Sequence, residues 1–288
     1  MAMNRFLLVL ALLVALAVPN QASADPISDL LRFEPPITIP LPTSDDPSTD
    51  PIHRVTHDNM DAWKIQIVGM SGSVDFVPDT QSTTATPCTV GPTPLGSGSL
   101  RLFVGNGEDA AQLRSTRYQN TRLIDLEALG YSACANFNNG QQWPYIILNI
   151  DLNGDAQFDF DHDDLIFFEP AYQNAAEGGE CGALTHQGPE QLHVWQQWDA
   201  LDGFKACYWS LNSIGGATPG TGVKSLGTYI TAARAVFGQE PAIVNASGNR
   251  GGIRSEQGFS NPVPHEGFVD GFMVQKNGAA VTYDFDPQ

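Results

Sequence analysis

Apolar and polar positions alternate in short runs over most of this chain, the two-residue period of strands with one buried face. Within residues 64–68, Ile65 and Ile67 lie on the side opposite Gln66, and Val74 with Phe76 repeats the pattern. Residues 99–104 follow a glycine-rich approach, and residues 145–151 form a nearly continuous apolar run after the turn signal Asn138, Asn139, Gly140. That run predicts a central strand covered on both faces. Residues 165–168, 192–198, 206–209 and 242–245 continue the series. Residues 268–275 and 281–285 flank Asn277 and Gly278, the pair a type I′ turn demands because both central positions take positive φ. One helix is predicted, from Ser225 as N-cap through Tyr229, Ala232, Ala233 and Val236 to Gly238 as C′ residue. Many short strands, one short helix near residues 225–238 and no βαβ alternation predict an all-β fold: a two-sheet antiparallel β-sandwich, jelly-roll-like.

The N-terminal part breaks this pattern twice. Residues 1–24 run from Arg5 through an apolar stretch to Ala22, Ser23 and Ala24, the order of a signal peptide. The stretch is shorter than the roughly 20 residues a membrane span needs, so cleavage and secretion are expected, with no membrane insertion of the mature chain. Residues 25–60 hold Pro26, Pro35, Pro36, Pro40, Pro42, Pro47 and Pro51 among Asp and Ser, the composition of a flexible leader. Residues 61–288 then form a single sandwich domain, since no linker divides them.

Charge narrows the partners. With 32 acidic against 14 basic residues, the formal net charge is −18. Such a field repels nucleic acid and anionic membranes and attracts cations. The four cysteines, Cys88, Cys134, Cys181 and Cys207, are an even count for an oxidising compartment. They allow three disulfide connectivities; pairing the neighbours in sequence gives Cys88 with Cys134 and Cys181 with Cys207. No CxxC or CxxH spacing supports zinc.

Residues 151–164 place oxygen ligands at alternate positions: Asp151, Asn153, Asp155, Asp159, Asp161 and, beyond them, Asp164. An all-oxygen set on a looping backbone predicts calcium in a structural role. It is not an EF-hand, because the glycine falls at the fourth loop position and His162 stands where a bidentate Glu belongs. The alternative is a solvated acidic loop. Trp195, Trp198, Tyr208 and Trp209 are the candidates for a glycan platform, set against their use as packing aromatics. By strand parity Trp195 and Trp198 point to opposite faces, so at most one of them is in the core, and the same parity holds for Tyr208 and Trp209. No GxSxG, HExxH or GxxxxGK[ST] motif is present. Glu108, Asp109, Asp125 and Glu169 are the acids from which a glycoside-cleaving pair would be drawn.

Several of these stretches together carry a resemblance: Gly98-Ser-Leu-Arg-Leu, Ile150-Asp-Leu-Asn-Gly-Asp155, Phe167-Phe-Glu-Pro170, Trp195-Gln-Gln-Trp-Asp199, Gly267-Phe-Val-Asp-Gly-Phe272 and Thr282-Tyr-Asp-Phe-Asp-Pro287. Over roughly residues 62–287 the chain resembles secreted bacterial jelly-roll domains of unassigned function that end in a TYDFEP-like strand. Such domains look distantly similar to carbohydrate-binding modules and concanavalin-like sandwiches. Two departures stand out: the segment between Asp155 and Asp163 is longer than in the family pattern, and the cysteines lie outside it. The resemblance implies fold more than function. The sequence therefore leads to a calcium-stabilised sandwich, extracellular or at the cell surface, that binds a glycan without catalysis. A glycoside hydrolase or lyase on the same fold is the alternative, and a structural or adhesive surface protein binding other proteins the second.

Overall fold

A computed structural model describes residues 52–60, 62–78, 88, 94–138, 142–174, 180–184, 187–246, 250–258 and 264–287. Residues 1–24, expected to be a signal peptide, and most of the stretch expected to be a leader lie outside these residues. In chain order the strands are β1 (Ile52–Val55), β2 (Trp63–Val68), β3 (Ser73–Pro78), β4 (Gly98–Val104), β5 (Ala110–Ser115) and β6 (Thr121–Arg122). Then come β7 (Leu126–Phe137), β8 (Tyr145–Asp151), β9 (Asp164–Phe168), β10 (Gln196–Asp199), β11 (Cys207–Ser210) and β12 (Lys224–Ser225). The last are β13 (Ala242–Ile243), β14 (Asn245–Ala246), β15 (Arg250–Gly251), β16 (Ile253–Gly258), β17 (His265–Lys276) and β18 (Ala279–Phe285).

They build an all-β sandwich. One sheet has seven strands with β1-β18-β17-β4-β3 as its path and β7 and β10 added beside β17. The larger has nine, with the path β12-β11-β9-β8-β16-β5-β2. Both contribute to one core: Leu100, Leu102, Leu129, Tyr131 and Phe272 from the smaller sheet meet Leu113, Ile146, Leu148, Ile166 and Phe168 from the larger. Trp63 sits edge-on to Phe272, Tyr283 and Phe285 at 5.0–5.4 Å between centroids, the favoured arrangement for aromatic quadrupoles.

The pattern-based elements fall where expected. Every residue of β8 is buried, between β16 and β9. The β17–β18 hairpin turns on Asn277 and Gly278, with φ of 52° and 72°. The helix Leu226–Phe237 starts at Ser225, whose hydroxyl accepts the Thr228 N–H, and ends at Gly238 in the left-handed region. Both disulfides join neighbours in sequence, Cys88–Cys134 and Cys181–Cys207. One boundary moves. Ile52–Val55 lies within the stretch read as leader, yet it pairs in parallel with β18 and buries Val55 completely. An alternation of only four residues next to a proline-rich run gave no local sign of that partner.

Candidate functional site

The larger sheet has two faces of different character, and the alternation of its strands sorts them. Ile146, Leu148, Ile150, Ile166 and Phe168 point into the shared core. Tyr145, Ile147, Leu165 and Phe167 point the other way and form a separate cluster with Phe158 and Trp209. On this outer face, strand register sets out two rows. Trp209, Phe167, Ile147, Arg254, Arg114 and Lys64 follow one another across β11, β9, β8, β16, β5 and β2. In the next row Tyr145, Glu256, Gln112 and Gln66 are cross-strand neighbours. One step beyond the Ile146–Phe168 pair, the extended Glu169 joins that row beside Tyr145.

The contacts along these rows are specific. The Trp209 ring stacks flat on Phe167, with centroids 3.7 Å apart and planes 1° from parallel. Its indole N–H donates to Glu169 Oε1 at 2.6 Å. The Tyr145 hydroxyl donates to Glu256 Oε1 at 2.7 Å. Glu256 Oε2 lies 3.9 Å from the Arg254 guanidinium and, among the described residues, accepts no hydrogen bond. Arg254 in turn reaches Gln112 Oε1 at 3.5 Å.

Burial tunes both acids. Glu256 is 1% exposed, and that burial raises its carboxyl, while Arg254 and the Tyr145 hydroxyl pull the other way. Glu169 is half-buried as a residue, but its carboxyl is densely surrounded. Desolvation lifts it to about 7, the Trp209 N–H opposes the rise, and the charge of Glu256 adds to it. A carboxyl poised there holds or releases a proton near neutral pH.

The four aromatics expected to form a glycan platform do not share one face. Trp198 is 0% exposed and packs edge-on to Trp143, and Tyr208 is 0% exposed with its hydroxyl on the Ala200 carbonyl. Both are core aromatics, because the parity that turns their neighbours outward turns them in. Trp195 is half-buried, donates to the Cys88 carbonyl at 3.1 Å, and adjoins β10 in the smaller sheet. Of the four, Trp209 alone lies on the face with Glu169 and Glu256.

The acidic loop is tied together by its own donors. Asp151 accepts the N–H groups of Gly154 and Ala156 at 2.6 and 2.9 Å, Asn153 accepts that of Asp155, and Asp155 accepts that of Gln157. Asp159 accepts the Asp161 N–H and pairs with His162. Asp163, absent from the expected ligand set, accepts the Leu152 and Asp159 N–H groups. Its carboxyl is raised by burial and then by the like charges of Asp151 and Asp155. Asp164 turns inward to the hydroxyls of Ser210 and Tyr229, and Asp161 stays exposed. Among the described residues no three acidic, histidine or cysteine side chains are grouped to hold a metal.

Of the four acids considered for glycoside cleavage, Asp109 is held by Ser71 and Asn106, Asp125 pairs with Arg122, and Glu108 sits in an exposed turn. Only Glu169 enters the outer face. Glu256, Tyr145 and Gln112 were not singled out from sequence. The available sign was the spacing of Arg254 with Glu256 and of Gln112 with Arg114, two residues apart within strands.

The molecule is thus defined as an all-β sandwich with an aromatic and acidic outer face on its larger sheet. No protein-family model matches the chain, and no curated protein does. Among solved structures it is similar to SGBP-B from a complex xyloglucan utilization locus in Bacteroides uniformis, at 12% identity and a TM-score of 0.31. The match covers 73% of this chain and 46% of that one, so the chain spans about half the length of that protein. A likeness this slight carries neither the fold nor a function across.

Proposed function

We propose that this protein is a secreted sandwich that binds a glycan on the outer face of its larger sheet. The observation that carries the reading is the half-buried Trp209, stacked on Phe167 and donating its indole N–H to the half-buried Glu169. Sugars are held by an aromatic ring against their apolar face and by hydrogen-bonding groups on their hydroxyls; the partly exposed Trp209 and Glu169 supply one of each, whereas Tyr145, Glu256 and Gln112 are buried. Export rests on the pattern of residues 1–24 and agrees with the two disulfides. Among the described residues no helix is long and apolar enough to cross a membrane.

Depletion of the protein from solution by a panel of neutral and uronate-bearing polysaccharides tests the reading. Binding by at least one polymer, weakened about tenfold or more in W209A, is expected. No depletion by any polymer, or equal depletion of W209A, discards it. Calcium stabilisation of residues 151–163 belongs to the same proposal, supported by the repulsion that Asp151 and Asp155 exert on Asp163. A melting temperature raised by calcium and not by magnesium is the expected result, and identical melting in calcium and in chelator rejects it.

A further inference from the structure

The aromatic surface around Trp209 is extended by the loop between β8 and β9. Phe160 of that loop is 57% exposed and stands edge-on to Phe158, with centroids 4.9 Å apart and planes at 84°. Phe158, like Trp209, is partly buried against the outer-face cluster of Tyr145, Ile147, Leu165 and Phe167. Leu211 borders the same surface. It stands two residues beyond Trp209, so strand alternation turns it the same way; its N–H donates to the Leu165 carbonyl at 2.9 Å, and it is exposed. The turn that carries Phe160 is closed on itself. The Asp159 carbonyl accepts the His162 and Asp163 N–H groups, its carboxylate accepts that of Asp161, and its own N–H donates to the buried Asp163 carboxylate. A ring held by such a turn loses little freedom when a ligand stacks on it, which favours binding.

We infer that Phe160 is a second stacking ring for the glycan held at Trp209, and that its acidic rim selects an uncharged chain over a uronate-bearing one. The inference rests on the glycan reading above. The rim consists of Asp155, Asp159 and Asp161, all exposed. His162, paired with Asp159, is the one basic side chain in residues 152–163. Carboxylates accept strong hydrogen bonds from sugar hydroxyls. The same carboxylates repel a uronate that comes within a Debye length, about 8 Å at physiological salt. The half-buried Glu169 beside Trp209 adds a further acid to that side of the surface, and the whole chain carries a formal charge of −18.

The experiment measures depletion of the full protein and of F160A, F160Y, F160L, W209A and M70A by the same panel of neutral and uronate-bearing polysaccharides, in calcium and in chelator. Depletion by a neutral polymer and not by the uronate polymers is expected. F160A and F160L should bind that polymer about three- to tenfold more weakly, while F160Y, which keeps the ring, binds as the parent does. M70A changes a wholly exposed side chain just beyond β2, at the opposite edge of the larger sheet, and should leave binding unchanged. Equal melting temperatures of F160A and the parent establish that the loss is not one of folding. Full binding by F160A or F160L beside a weakened W209A, an equal loss in M70A, or uronate polymers bound as well as neutral ones overturns the inference and leaves glycan binding standing. Absence of depletion by any polymer removes the glycan reading, and this inference with it.

Discussion

Glu169 places a pH signature on stability. Its carboxyl is raised from 4.5 to about 7 in the fold, so between those values the native state binds more protons than the unfolded chain. The contribution is therefore fully present below pH about 4.5 and is lost as the pH rises through about 7. The shift corresponds to on the order of 3 kcal/mol. E169Q has no such titration, so its urea midpoint should fall less than that of the parent between pH about 5 and about 8. Parallel curves for the two proteins would show that Glu169 titrates normally. Tyr145 is the second residue with a distinct signature. In Y145F the buried Glu256 carboxylate loses a hydrogen bond, which costs about 1 to 3 kcal/mol in urea unfolding.

Among the elements, the helix Leu226–Phe237 is fixed by its ends. The Ser225 hydroxyl accepts the Thr228 N–H and donates to the Glu180 carboxylate at 2.6 Å. S225A should cost about 1 kcal/mol by denaturant titration, and no loss would mean that the cap does not hold the helix start. These caps, like the Asn277-Gly278 turn, are readable in sequence because their geometry is local. β5, β7 and β16 were not read. Ala110–Ser115 and Leu126–Phe137 are rich in helix formers, and tertiary pairing overrides that preference. Ile253–Gly258 carries Arg254, Glu256 and Gln257, and every one of its residues is buried between β5 and β8. Polar residues in a central strand look like a loop until both neighbours are known.

At the scale of the whole molecule, Cys181–Cys207 ties a small cluster with Val223 that is separate from the main core. The chain-entropy model assigns about 4 kcal/mol to Cys88–Cys134 and about 3.5 kcal/mol to Cys181–Cys207, from separations of 46 and 26 residues. Calorimetry of the C88S/C134S and C181S/C207S proteins should therefore show lower melting temperatures for both, with the first falling at least as far. Net charge, the closing hairpin and the helix limits were legible along the chain, since each depends on composition or on neighbours a few residues apart, and the disulfide partners followed from pairing the cysteines nearest in sequence. The outer face was not. Glu169, Tyr145 and Glu256 are far apart in sequence and meet only because β9, β8 and β16 are adjacent, and Trp198 and Tyr208 sink into the core by the parity that leaves Trp209 at the surface. Period-two alternation tells which residues share a side of one strand. Which side becomes core, and which polar side chains then become neighbours, is decided by long-range pairing, where register and burial are set by the whole sheet.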